Sequence, residues 1–126
     1  MCKDADVLIS IENTDGFTNF QREAVEYLLK SRVFSLTWDV GHSYVDAMED
    51  ERFILEHEEK LAHFHMHDAM GGRNHLALGT GEVDLEERFK AAGRNKCRCV
   101  SETKTVQALR ESVAWMRRNG IMDRYT

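Results

Sequence analysis

"LAHFHMHD", residues 61–68, sets His63, His65 and His67 at alternate positions with Phe64 and Met66 between them. Side chains alternate across a strand, so this spacing predicts a strand with its imidazoles on one face and its apolar residues on the other. Three more runs of strand length flank it in the chain. Val7 to Ile11 ends at Glu12 and Asn13, Val33 to Trp38 ends at Asp39, and Cys97 to Ser101 ends at Glu102. Helical patterns alternate with these runs. Thr18-x-x-Gln21 reads as a capping box ahead of Ala24, Val25, Leu28 and Leu29. Acidic Glu49, Asp50 and Glu51 open a helix expected to run through Lys60. Asp84-x-x-Glu87 opens a third, with Gly93 as its stop. A last helix carries Val106, Leu109, Val113 and Met116 on one stripe and ends at Asn119-Gly120. Strand and helix alternate four times, which predicts an α/β chain on a parallel sheet, one domain over residues 1–126.

Composition narrows the function classes. A formal charge of −5 offers no basic footprint, so no nucleic-acid partner is expected. No apolar run approaches the roughly 20 residues of a membrane span, and residues 1–4 do not open as a signal peptide. Cys2, Cys97 and Cys99 are odd in number, which argues against a disulfide framework and for the cytoplasm. Cys97 and Cys99 lack the CxxC spacing of a redox pair and read as packing residues.

Each of the four apolar runs ends in a group able to hold a metal: Glu12, Asp39, His65 and Glu102 in turn. The C-terminal edge of a parallel sheet is where sites are built. Taken singly, a carboxylate at a strand end is more often solvated, and a single histidine more often packs. Four such ends together are harder to dismiss. Three carboxylates and one imidazole suit Mn²⁺, Mg²⁺ or Co²⁺, with Zn²⁺ also accommodated. His63 and His67 read as residues lining or supporting the site, and Asp68 as a cap of the following loop or a ligand-bonding group.

"ISIENT", "TWDVGH", "HFHMHD", "NHLALGTGEVDL" and "VSETK", in this order, resemble the xylose-isomerase-like TIM-barrel superfamily, which includes sugar isomerases, sugar epimerases and apurinic endonucleases of the endonuclease IV type. The resemblance implies that Glu12, Asp39, His65 and Glu102 hold a divalent metal. It implies that His42 faces a sugar or sugar phosphate and that His75 lies in the substrate loop, with Gly79 and Gly81 turning the backbone beside it. Arg73, outside the family pattern, reads as a contact to a sugar phosphate or hydroxyl, although a loop arginine is more often simply solvated. Glu12 and Glu102 would be the acid/base pair of a metal-assisted proton transfer through an enediolate. Lys104 would stabilise charge or pair with an acidic neighbour.

Two departures shape the expectation. Arg73-Asn74-His75 stands where an endonuclease would carry D-x-H, which weighs against a three-zinc site and ranks phosphodiester hydrolysis last. Four βα units also make half of an eight-unit barrel, typically about 250 residues. Such a half would expose two strand edges and an apolar interior face, so a second copy or a complementary half-barrel is expected to complete it. A non-catalytic half-barrel that binds metal and awaits its partner is the second reading, behind an isomerase or epimerase.

Overall fold

Strand β1 (Ile9–Glu12) enters the molecule at the edge of a four-stranded sheet and is followed by helix α1 (Asn19–Leu29). Strand β2 (Phe34–Asp39) leads directly into the short helices α2 (Val40–Val45) and α3 (Met48–Glu56). A 3₁₀ turn over Glu58–Lys60 precedes β3 (Leu61–Met66). A hairpin of β4 (Asp68–Met70) and β5 (Arg73–Leu76) comes next, then α4 (Leu85–Arg94), β6 (Arg98–Ser101), α5 (Val106–Arg118) and α6 (Ile121–Tyr125). The sheet order is β1-β2-β3-β6, all pairs parallel. The computed structural model describes residues 6–46 and 48–125, so Cys2 lies outside the described residues.

The two faces of the sheet differ in chemistry. Leu36, Trp38, Phe64 and Met66 face the helices and are fully buried against Val25 and Leu29 of α1, Ile54 of α3 and Phe89 of α4. Each such side chain contributes about 1.5–3 kcal/mol when withdrawn from water. Arg88 closes this layer from α4, its guanidinium 4.6 Å from the Trp38 ring centre and 2.8 Å from Glu51. The opposite face carries Ser10, Ser35, Thr37, His63 and His65. Its centre is marked by a hydroxyl–hydroxyl bond of 2.6 Å between Ser10 and Thr37. The expectation of an apolar interior is therefore corrected: of that face's residues, Leu8 and Val100 at its two margins are the apolar ones, and both are exposed.

Local signals explain most helix starts. Thr18 and Gln21 form the reciprocal capping box at α1. Asp84 caps α4 through the Glu87 N–H, and Thr105 caps α5 through the Ala108 N–H. Other expectations need correction. The acidic segment forms a helix only to Glu56, and a separate 3₁₀ turn replaces its predicted end. Gly93 stays inside α4, which stops two residues later where Asn95 turns its side chain back onto the Ala91 carbonyl. The segment after His67, expected to be an unbroken loop, contains the β4–β5 hairpin turned by Gly71 and Gly72. Helix α5 ends at Asn119 with Gly120 at φ 65°, as the Asn-Gly pair predicted, but α6 follows at once. Cys97 packs against the core and Cys99 is exposed, both as free thiols.

Candidate metal centre

Register alone brings the central pair together. Asp39 on β2 lies directly across from His65 on β3, and Glu12 ends the neighbouring strand on the far side of β2. Glu102 follows β6 and continues its ladder, donating its N–H to the Met66 carbonyl at 3.0 Å. His65 Nδ1 stands 3.1 Å from Glu12 Oε1, 3.6 Å from Glu102 Oε2 and 3.7 Å from Asp39 Oδ2. One ligand atom from each of these four residues lies within 4.8 Å of the other three. The four positions singled out at the strand ends thus meet at one point.

The second residue of this set, Asp39, is held from behind. The Asn13 side chain accepts the Asp39 N–H at 2.8 Å and donates to the Asp39 carbonyl at 3.1 Å, acting as a substitute strand partner. Asp39 Oδ1 accepts the His42 N–H at 2.8 Å and meets His67 Nε2 at 2.7 Å. Burial alone would raise the Asp39 carboxyl, but these bonds outweigh it and hold the pKa below the usual carboxylate value. Asp39 Oδ2 is buried and has no hydrogen-bond partner. An orphaned carboxylate oxygen is costly unless something positive sits beside it. Facing it are one imidazole nitrogen and two further carboxylates, so a proton on His65 could answer only part of this charge. A divalent cation fits the donor set.

The surrounding histidines form a second layer. The His67 and His75 rings stack with centres 4.2 Å apart, and His75 Nδ1 donates to the Glu102 carbonyl at 3.1 Å. His42 bonds Asp46 at 2.8 Å. Burial lowers its pKa, but that bond and the charges of Asp39, Asp46 and Asp15 more than compensate and raise it. His63 is lowered, first by burial and then by the neighbouring His65 and Arg98. Arg73 is exposed on β5 and is not drawn into the cluster, and Lys104 is likewise exposed.

Asp68 serves as the anchor of the glycine-rich segment. Its Oδ1 accepts the N–H groups of Ala69 and Val83, and its Oδ2 those of Gly79 and Gly81. A Cβ at Gly81 would lie 2.5 Å from Asp68 Oδ1, and one at Gly79 2.1 Å from the Trp115 ring at φ 85°. Of the two roles expected for Asp68, the loop cap is the one its contacts fill. Sequence reasoning passed over Asn13, whose signal was only its place after Glu12, and Tyr44, which donates to Glu82 of the same loop.

Several solved structures share this architecture. A D-tagatose 3-epimerase-like protein superposes with a TM-score of 0.68 at 18% identity, over 97% of this chain and 50% of that one. The 3-keto-D-glucoside 4-epimerase YcjR of E. coli gives 0.64 at 15% identity, over 93% and 48%. The D-allulose 3-epimerase of Methylomonas sp. gives 0.62 at 15% identity, over 92% and 50%. This chain therefore spans about half the length of these structures, as a half (β/α)8 barrel does. An uncharacterized protein of Methanocaldococcus jannaschii, MJ1614, is 32% identical over 85 residues, which are 63% of this chain and 32% of that protein. Residues 1–119 match the xylose isomerase-like TIM barrel family, and the chain belongs to it.

Proposed function

We propose that this chain carries the cation-holding and proton-transferring half of a sugar isomerase or epimerase. The observation that supports this most directly is the buried, unpartnered Asp39 Oδ2 among His65, Glu12 and Glu102. A divalent cation held by Glu12, Asp39, His65 and Glu102 (Mn²⁺, Co²⁺, Mg²⁺ or Zn²⁺) would polarise the carbonyl and adjacent hydroxyl of a bound sugar.

The chain's own groups divide the remaining work. Glu12 and Glu102 come from the two outermost strands of the sheet, so a sugar lying across the strand ends has a carboxylate on either side. One removes the proton beside the carbonyl and the other returns it. His42 orients a substrate oxygen, braced by Asp46, and His75 lines the pocket with its ring fixed on His67. Arg73 reaches a hydroxyl or phosphate from the hairpin. Enclosure of the sugar needs the missing wall, supplied by a second copy or a complementary half-barrel that pairs with the β1 and β6 edges. The free thiols of Cys97 and Cys99, among the described residues, accord with a cytoplasmic location.

A half-barrel that holds a cation without turnover is the second reading, and the open edges at Leu8 and Val100 favour it. Exchange of a ketose α-proton with solvent deuterium separates the two. Cation-dependent exchange that Glu102→Gln abolishes supports the enzyme. Tight cation binding with no exchange on any ketose or aldose supports the scaffold. Protein that binds no Mn²⁺, Co²⁺, Mg²⁺ or Zn²⁺ overturns both.

A further inference from the structure

We propose that His67 is a positioning residue that presents one oxygen of Asp39 to the cation and ties that ligand to the β4–β5 hairpin. The inference rests on the cation reading above and concerns a residue outside the ligand set.

The hydrogen bonds determine its tautomer. The backbone N–H of His75 lies 2.8 Å from His67 Nδ1, and an amide N–H can only donate. Nδ1 must therefore present its lone pair, and the ring's proton resides on Nε2. That nitrogen stands 2.7 Å from Asp39 Oδ1, which also accepts the His42 N–H at 2.8 Å. Two donors on Oδ1 fix the carboxylate plane and leave Oδ2 as the oxygen facing His65 Nδ1, 3.7 Å away. An imidazole that donates to a ligating carboxylate and is itself oriented from its other nitrogen is the arrangement by which supporting groups tune a metal site.

The ring has little freedom to move away. It is fully buried, with the His75 ring stacked on it at 10°. On another side lies Gly41, where a Cβ would come within 2.1 Å of His67 Cε1. Glycine at position 41 is thus what admits the ring beside Asp39. Because the His75 N–H sets the His67 tautomer, the hairpin that carries His75 and Arg73 is mechanically continuous with the ligand. A cation that orders Asp39 orders the hairpin with it.

Mn²⁺ titration of the purified chain, followed by calorimetry, tests the role without reference to turnover. His67→Phe keeps a ring of similar size and removes both hydrogen bonds, whereas His67→Gln offers an amide that can donate to Asp39 and accept from His75. His67→Phe is expected to weaken Mn²⁺ binding by about 10- to 100-fold, the usual loss for a supporting partner, and His67→Gln to recover most of it. Equal affinity in His67→Phe and the unmodified chain overturns the role while leaving the cation reading intact. Should His67→Phe fail to fold, long-range ¹⁵N spectra of the unmodified chain decide. A proton on Nε2 with a bare Nδ1 is the expected pattern, and the Nδ1–H tautomer overturns the proposal. An unmodified chain that takes up no Mn²⁺ overturns the cation reading and this inference with it.

Discussion

The C-terminal rim of the sheet and its two outer edges are built to different degrees of completion. At the rim, Asp39 is gripped through its backbone by Asn13 and through its side chain by His42 and His67, while Asp68 collects four backbone N–H groups. At the edges, Leu8 beside β1 is 63% exposed and Val100 on β6 is 46% exposed. Helix α5 repeats the pattern, with Val106 and Leu109 exposed at its start although they continue the stripe that Val113 and Met116 begin to bury. The geometry of the four-residue cluster is thus set by these four strands alone, whereas their outer edges are left uncovered.

The contrast can be tested from its strongest point downward. Asp68→Ala removes the acceptor of four N–H groups at once. It is expected to cost about 3–5 kcal/mol in urea unfolding, since each unsatisfied buried donor costs roughly 1–3 kcal/mol and the loop relaxes to rewet some. A loss under 1 kcal/mol would show that the rim is not held as described. Asp39→Ala, which deletes a proposed ligand and its supports' target, is expected to weaken Mn²⁺ binding by more than about 100-fold, beyond the range of supporting groups. Paired Leu8→Lys and Val100→Lys substitutions should leave Mn²⁺ affinity within about 3-fold while shifting any self-associated chain toward monomer in sedimentation, because lysine blunts a strand edge. If those edge changes weaken cation binding as much as Asp39→Ala, rim and edge are not separable. Gly41→Ala should destabilise by about 1–3 kcal/mol through overpacking against His67.

The smallest effect lies at the other end of the sheet, away from the site. Bonds from Asn95 and Arg94 hold the Glu58 carboxyl below the usual glutamate value. A depressed folded pKa stabilises the native state above the unfolded value, and that contribution disappears as pH falls through the folded one. The advantage of the unmodified chain over Glu58→Gln is therefore expected to be small near pH 7 and to vanish on acidification. Urea midpoints across that range would reveal it, and an advantage that grows in acid would reverse the assignment.

What could be read beforehand follows a physical division. The strand at β3 and the positions of the four strand-end residues that meet in the cluster were legible because alternation and apolar runs are local signals. The α1 capping box was legible for the same reason. The hairpin was missed because β4 and β5 have three and four residues, too few for periodicity to speak, although Gly71-Gly72 is a turn signal. The polar interior was present in the alternation of Ser35, Thr37 and Asp39, but the expectation followed the apolar runs as a whole. Asn13 and His67 depend on which backbone lies across from them, and that is a matter of register between strands far apart in the chain. No single segment encodes it.

Asp68 grips the glycine-rich loop by main-chain atoms, and main-chain recognition is indifferent to side-chain identity. Gly79 and Gly81 are constrained by what surrounds them, whereas Thr80 and Glu82 sit between the clamped positions and add side-chain bonds of their own, to the Ala77 carbonyl and from Tyr44. The loop is in effect a socket beside the candidate site, its course written in main-chain bonds to Asp68 and only trimmed by the side chains between them.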